Sequence, residues 1–300
     1  MTVSDTSVPA SAHPKAALRG AVLVGIGLAL AQVTSYLLSL ISARVLGPEI
    51  FGALASMLAL MLVGNVLALG IQAAGARRIV LMPHGTTTAG ASGVVRFSII
   101  SGLAVAIVTA LLSPLLTSLL HLPQYRAVIL VGICLYPATV FGGLLGVAQG
   151  RESFVRLATL CALTGTGRAI GGIVGVFVGG TLNATLIGMA AGSVLSALVG
   201  WVITRPLLSK PAVRVDHFRR DVLHATHAMF ALFVLTNIDV LLARHYLPAT
   251  QAGMYAAGAV VAKVTFWLPQ FVATVTYPRL ADHRRARTLG VAALAVFGIG

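Results

Sequence analysis

Apolar runs of about 20 residues or more recur along this chain with only short gaps between them, and each is long enough to carry a helix through a ~30 Å hydrocarbon core. The gaps alternate in charge. Lys15/Arg19, Arg77/Arg78/Arg96, Arg151/Arg156, Arg205/Lys210/Arg214/Arg219/Arg220 and Arg279/Arg284/Arg285/Arg287 fall in every second gap and hold 16 of the 21 lysines and arginines. The gaps between them hold only Arg44, Arg126 and Arg244. Such alternation is the positive-inside pattern of a polytopic membrane protein. It places the N-terminus, the basic gaps and the linker around Arg205 in the cytoplasm. Two cations, Arg168 and Lys263, escape the pattern and lie inside apolar runs.

Composition excludes a soluble domain: 58% of residues are hydrophobic and 9% charged, against roughly 25% charged in soluble chains. The net charge of +14 would ordinarily suggest nucleic acid. Here the charge is divided among short loops that membrane orientation already accounts for, so no nucleic-acid partner is expected. Contact with anionic membrane lipids is expected. Residues 1–18 have no signal-peptide layout. Cys134 and Cys161 lie within apolar runs with no CxxC pairing and read as buried thiols.

The runs predict spans at 20–43, 52–75, 97–119, 127–149, 157–180, 184–204, 223–244 and 254–277, with a ninth beginning near Leu289. The ninth, LGVAALAVFGIG, has about 12 residues and covers roughly 18 Å as a helix, so it is expected to be an incomplete span. The expected fold is all-α and polytopic, with about eight complete transmembrane helices and a truncated ninth. A cytoplasmic tail over 1–18 leads into a six-helix lobe over 19–204. A basic linker over 205–222 then joins it to a partial second lobe over 223–300.

An internal repeat supports that division. Ala43-Arg44-Val45-Leu46-Gly47-Pro48, followed by Gly52, closes the first span, and Ala243-Arg244-His245-Tyr246-Leu247-Pro248, followed by Gly253, closes the seventh. Repeats of even helix number keep one orientation in the membrane, so six spans predict a parallel repeat.

Glycines recur every fourth residue at Gly142/Gly146/Gly150, Gly171/Gly175/Gly179 and Gly188/Gly192. On a helix they form a smooth face that permits close backbone approach, and we read them as packing surfaces. Pro114, Pro137 and Pro269 are positioned to kink helices. His224 and His227 read as interfacial histidines, since no further ligand completes a metal site. No cofactor, catalytic triad or carboxylate pair is expected, and no metal.

A charge inside a span costs about 2.5–3.5 kcal/mol on insertion scales and marks a functional position by default. Arg168 and Lys263 are therefore the candidate substrate-binding residues, suited to an anionic headgroup. Asp239, Asn237 and Asn65 are candidates for gating or ion coupling. A mutual structural pair of Lys263 with Asp239 is the alternative, as are ties from Arg168 to carbonyls. Gln72 and Gln270 are further polar residues within spans.

Two segments resemble a known family: SLISARVLGPEIFG at Ser39–Gly52, leading to Ala76-Arg77-Arg78, and TNIDVLLARHYLPATQAGMYAAGAVVAKVTFWLPQFVATVTYPRL at Thr236–Leu280. Both are similar to bacterial polysaccharide-biosynthesis transporters of the multidrug/oligosaccharidyl-lipid/polysaccharide (MOP) flippase superfamily. The resemblance implies two six-helix lobes around a central cavity. It also implies a non-enzymatic role in the bacterial inner membrane: flipping a lipid-diphosphate-linked oligosaccharide for lipopolysaccharide or exopolysaccharide assembly, alongside other polysaccharide-assembly membrane proteins. A multidrug or cation extruder of the same superfamily and a non-transporting fragment are the rival readings. An extruder of cations would want central carboxylates, and Asp239 alone is available.

Overall fold

Helices are the one way for these apolar runs to satisfy their own backbone inside a bilayer, and the computed structural model shows helices throughout. It describes residues 14–82, 87–122, 124–208 and 218–262, among which there is no strand. In chain order the elements are α1 (Pro14–Val45), α2 (Gly47–Gly64), α3 (Val66–Leu81), α4 (Thr87–Leu111), α5 (Ser113–Leu119), α6 (Arg126–Gly150), α7 (Phe154–Gly179) and α8 (Leu182–Thr204). A 3-10 turn over Arg205–Leu207 follows, then α9 (Phe218–Leu235), α10 (Ile238–Tyr246) and a helix α11 over 249–262. Among the described residues, six segments are long and apolar enough to span a membrane, and a seventh if the α9–α10 pair, bent by 46°, is one span. The protein is an all-α, multi-pass membrane protein.

Its surface is that of a chain solvated by lipid. Phe177, Val178, Leu195 and Val202 are exposed, as are many other large apolar side chains around α1, α4, α7 and α8. Because lipid tails are as apolar as leucine, burial of such groups does not drive these helices together. Close packing must do so.

Glycine supplies that packing. The α7 and α8 backbones meet at Gly171 and Gly188, where a Cβ on either residue would strike the other's carbonyl oxygen. A Cβ on Gly175 would stand 2.8 Å from the Ala184 carbonyl carbon and 2.9 Å from the Thr185 Cα. The stripe on α6 serves α3 in the same way: a Cβ on Gly146 would lie 2.9 Å from the Gln72 carbonyl oxygen, and on Gly150, 2.8 Å from that of Ala76. The packing reading of these stripes therefore holds. Further contacts join α1 to α7 and α4 to α6, so α6 and α7 form the centre of the first six spans. Leu54, Met57, Val128, Val131, Leu186 and Met189 fill one core, and Val94, Phe141, Leu144, Val147 and Leu160 another.

Several predicted boundaries shift. The third span, expected over 97–119, starts at Thr87 and ends at Leu111. A helix continues into water as readily as it ends at the hydrocarbon, so exposed Arg96 sits well inside α4. Pro114 sits in the first turn of α5, where its missing N–H leaves no helical acceptor unserved. Pro137, by contrast, is buried within an unbroken α6. The seventh span begins at Phe218, five residues before the predicted 223, where the Phe218 ring packs edge-on against Phe97 at 5.0 Å. The span predicted over 52–75 extends to Gly47–Leu81 and breaks at Asn65. The eighth predicted span is described only to residue 262, and the ninth lies outside the described residues.

If the α7–α8 seam depends on absent side chains, Gly175→Leu should lower stability by about 1–3 kcal/mol, the usual cost of overpacking. Gly25→Leu should have little effect, because a Cβ at Gly25 meets nothing within 4 Å. Thermal unfolding of the detergent-purified protein, followed by loss of monodisperse material, measures both.

Candidate functional site

Two helix junctions carry a predicted site residue, one inside the Gly47–Leu81 span and one in the bent α9–α10 pair. The first lies between α2 and α3 at Asn65, which is half-buried with φ −74° and ψ −8°. Its N–H donates to the Met61 carbonyl at 2.9 Å and its carbonyl accepts from the Leu69 N–H at 3.2 Å, so backbone bonding nearly survives the bend. The second lies between α9 and α10 at Thr236-Asn237. Here the Asn237 N–H bonds the Val234 carbonyl at 3.1 Å in place of its helical acceptor, the Phe233 carbonyl. The Asn237 side chain repairs the loss: Nδ2 donates to the Phe233 carbonyl at 2.9 Å and to Thr236 Oγ1 at 3.2 Å. Asn237 is buried, and a freed carbonyl inside a membrane span needs such a donor.

Asp239 enters one residue into α10, where its negative charge suits the helix N-terminus. Its Oδ2 accepts a hydrogen bond from the Tyr255 hydroxyl at 3.3 Å, tying α10 to α11. Tyr255 is a site neighbour that sequence reasoning missed, although it stands two residues beyond Gly253 of the repeat.

The two segments lie side by side. The α9 helix packs along α3 and α10 packs on α2. Close approach again rests on glycine, since a Cβ on Gly70 would meet Thr226 Oγ1 and lie 3.1 Å from the Val222 carbonyl oxygen. At the end of α3, Arg78 Nε donates to Asp221 Oδ2 at 2.7 Å, with both side chains about one-third exposed. Asn65, Asn237 and Asp239 thus lie on the elements that form this seam, α2–α3 and α9–α10.

Arg168 is set apart from that seam. It sits half-buried on α7, within electrostatic reach of the Cys134 thiol on α6. Its neighbour Gly167 packs against Gly192 and Ser196 of α8. It therefore stands within the bundle of the first six spans. Lys263, the other candidate cation, lies outside the described residues, as do Pro269 and Gln270. His224 Nδ1 bonds the Arg220 carbonyl at 2.7 Å, and no group of three metal-ligating side chains occurs among the described residues. A pocket of about 300 Å³, lined by Arg126, Ile129, Leu130, Asn183 and Ile187, contains none of the predicted site residues.

A family model described as "Polysaccharide biosynthesis protein" matches residues 41–292, most of the chain. The chain belongs to this polysaccharide-biosynthesis family. Among solved structures, its fold matches that of a MOP superfamily transporter from Pyrococcus furiosus Vc1, with a TM-score of 0.61 and 14% sequence identity over 86% of this chain. That structure is described as having a binding pocket of reversed polarity that suggests a different function. This chain spans 63% of the length of that transporter. No curated protein matches the chain.

The Arg78–Asp221 pair is open to a direct test of its role in joining α3 to α9. Arg78→Ala and Asp221→Ala should each lower stability, and the double variant should show a coupling of about 0.2–1 kcal/mol, as expected of a solvent-screened pair. A thermal double-mutant cycle in detergent measures the coupling.

Proposed function

We propose that this protein moves a lipid-diphosphate-linked oligosaccharide across the bacterial cell membrane by alternating access. The family match over residues 41–292 carries this reading, and the bent α9–α10 pair packed along α2–α3 supports it. Transporters place their sites where helices unwind, because broken backbone is tolerated in a membrane only when it is buried in protein or lines a cavity. In this reading the first six spans form one lobe, and α9 onward begin a second, parallel one. The N-terminus and the basic gaps face the cytoplasm of an inner-membrane protein.

The chemistry assigned to each residue follows from charge. A sugar diphosphate entering the membrane needs cations, and Arg168 and Lys263 are those that orientation does not explain. The planar, permanently charged Arg168 suits phosphate oxygens. Asp239, Asn237 and Asn65 would act at the two junctions, where a change of hydrogen-bond partner alters the bend and where Asp239 can balance a coupling cation or proton. The lipid tail would stay in the bilayer throughout. The product would feed lipopolysaccharide or exopolysaccharide assembly by neighbouring membrane proteins. A role as transporter rather than enzyme fits outer gaps too short to hold a catalytic domain. The multidrug-extruder reading is less favoured, because Asp239 is the one carboxylate well inside an apolar run.

The assay is translocation of a lipid-diphosphate sugar in reconstituted vesicles. Arg168→Ala should lower the rate about ten- to a hundredfold, the loss expected when hydrogen bonds to a charged group are removed. Arg168→Lys should retain much of the activity. Normal transport by Arg168→Ala would remove Arg168 from the substrate path.

A further inference from the structure

Arg244 is the repeat counterpart of Arg44, yet the two have different surroundings. Arg44 is exposed at the end of α1. Arg244 is buried, 6% exposed, near the end of α10. Its Nε donates to the Leu120 carbonyl at 3.1 Å and its Nη2 to the His121 carbonyl at 3.4 Å. Next to it, His245 Nδ1 lies 2.6 Å from the Leu119 carbonyl and must be the protonated donor there. Two side chains of α10 thus take three successive carbonyls at the end of α5.

The end of α5 is built to present those carbonyls. His121 has φ +47°, in the left-handed region, and turns the chain back on the helix. The Leu122 N–H then reaches the Thr117 carbonyl at 3.0 Å and the His121 N–H that of Ser118 at 3.3 Å, as in a Schellman closure. The Leu119, Leu120 and His121 carbonyls remain, at the negative end of the helix. A cation with several donors is the natural partner for them. The His121 and His245 rings lie 5.3 Å apart over the same site, and Glu49 at the start of α2 is the carboxylate within electrostatic reach of Arg244.

Beside this contact, the two matching repeat motifs touch directly. A Cβ on Gly52 would stand 2.8 Å from the Gly253 Cα, and one on Gly253 would strike the Pro48 carbonyl oxygen. Phe51, Ala55, Ala59, Val240 and Ala256 close the apolar contact behind them. The closure is not fully satisfied, however. Arg244 Nη1 is buried with no hydrogen-bond partner among the described residues. A buried, half-paired guanidinium regains hydration when the contact opens, which keeps the closed state from being too deep to leave.

We propose that Arg244 and His245 form a releasable latch that holds α10 and α11 against α2 and α5 at the predicted outer end. This rests on the alternating-access reading, in which that end must open and close. The latch itself is tested without transport.

The probe is an Ala252→Cys reporter in a Cys134→Ala/Cys161→Ala background. Ala252 is 2% exposed, and its carbonyl carbon lies 3.4 Å from where a Cβ on Gly52 would stand. The full chain in nanodiscs is labelled with a charged maleimide that reaches both membrane faces. Arg244→Ala and His245→Ala should each speed labelling, Arg244→Ala by about tenfold or more, as loss of charged hydrogen bonds shifts an opening equilibrium. Arg244→Lys should be intermediate and Arg44→Ala unchanged. Gly253→Leu, which wedges the same contact, should also speed labelling, and size-exclusion profiles establish that each variant stays folded. The proposal is overturned if the folded Arg244 and His245 variants label at the parent rate, or if Arg44→Ala accelerates labelling equally. A protein that labels as expected yet moves no lipid-linked sugar would sink the transport reading and leave the latch standing.

Discussion

Where α7 crosses α8, the carbonyl of Gly171 occupies the space a Cβ on Gly188 would need, and the reverse is true as well. A bilayer provides no hydrophobic drive to bring two apolar helices together, so their attraction is the sum of many short-range contacts. Those contacts are available only if the backbones approach. The same device recurs between α3 and α6, between α3 and α9 at Gly70, and between α2 and α11 at Gly52 and Gly253. Helices that rest on backbone can separate and return without repacking large side chains. That property suits a protein whose proposed task requires two groups of helices to part.

Polar groups at the same interfaces supply register. Arg78 with Asp221 marks one end of the α3–α9 contact. Arg244 and His245 on the α5 carbonyls mark the other end of the α9–α10 span. Between them the α9–α10 break is repaired by Asn237, whose amide replaces the backbone donor that the Phe233 carbonyl loses. Each is a specific partner choice made within a largely featureless apolar surface, and each restricts how the later helices seat on the earlier ones.

Much of this was legible in the sequence. The period and length of the apolar runs gave the spans, because the backbone's need for hydrogen bonds in lipid leaves helices as the outcome. The glycine spacing located the seams. The helix junctions were not legible: Asn65 and Asn237 stand out as polar residues in spans and gating candidates, but nothing in MLVGNVLAL or LTNIDV fixes whether an asparagine bends a helix or decorates it. Boundaries at Thr87 and Phe218 also escaped, because hydropathy reports the membrane and not the helix. In the sequence Arg244 is one charge in an outer gap, and its burial depends on the end of α5, more than a hundred residues earlier in the chain. The repeat pointed to the position, while only the fold shows that Arg44 and Arg244 are used differently.

The central claim is that the two matching motifs close on one another through small residues, α2 against α11. The most direct measurement is cross-linking of an Ala55→Cys/Ala256→Cys pair, both positions buried in that contact, with a short bifunctional thiol reagent in membranes. The account predicts rapid intramolecular cross-linking in the parent background, visible as a mobility shift. Absence of the cross-link, with both thiols modified normally once the protein is denatured, would contradict it.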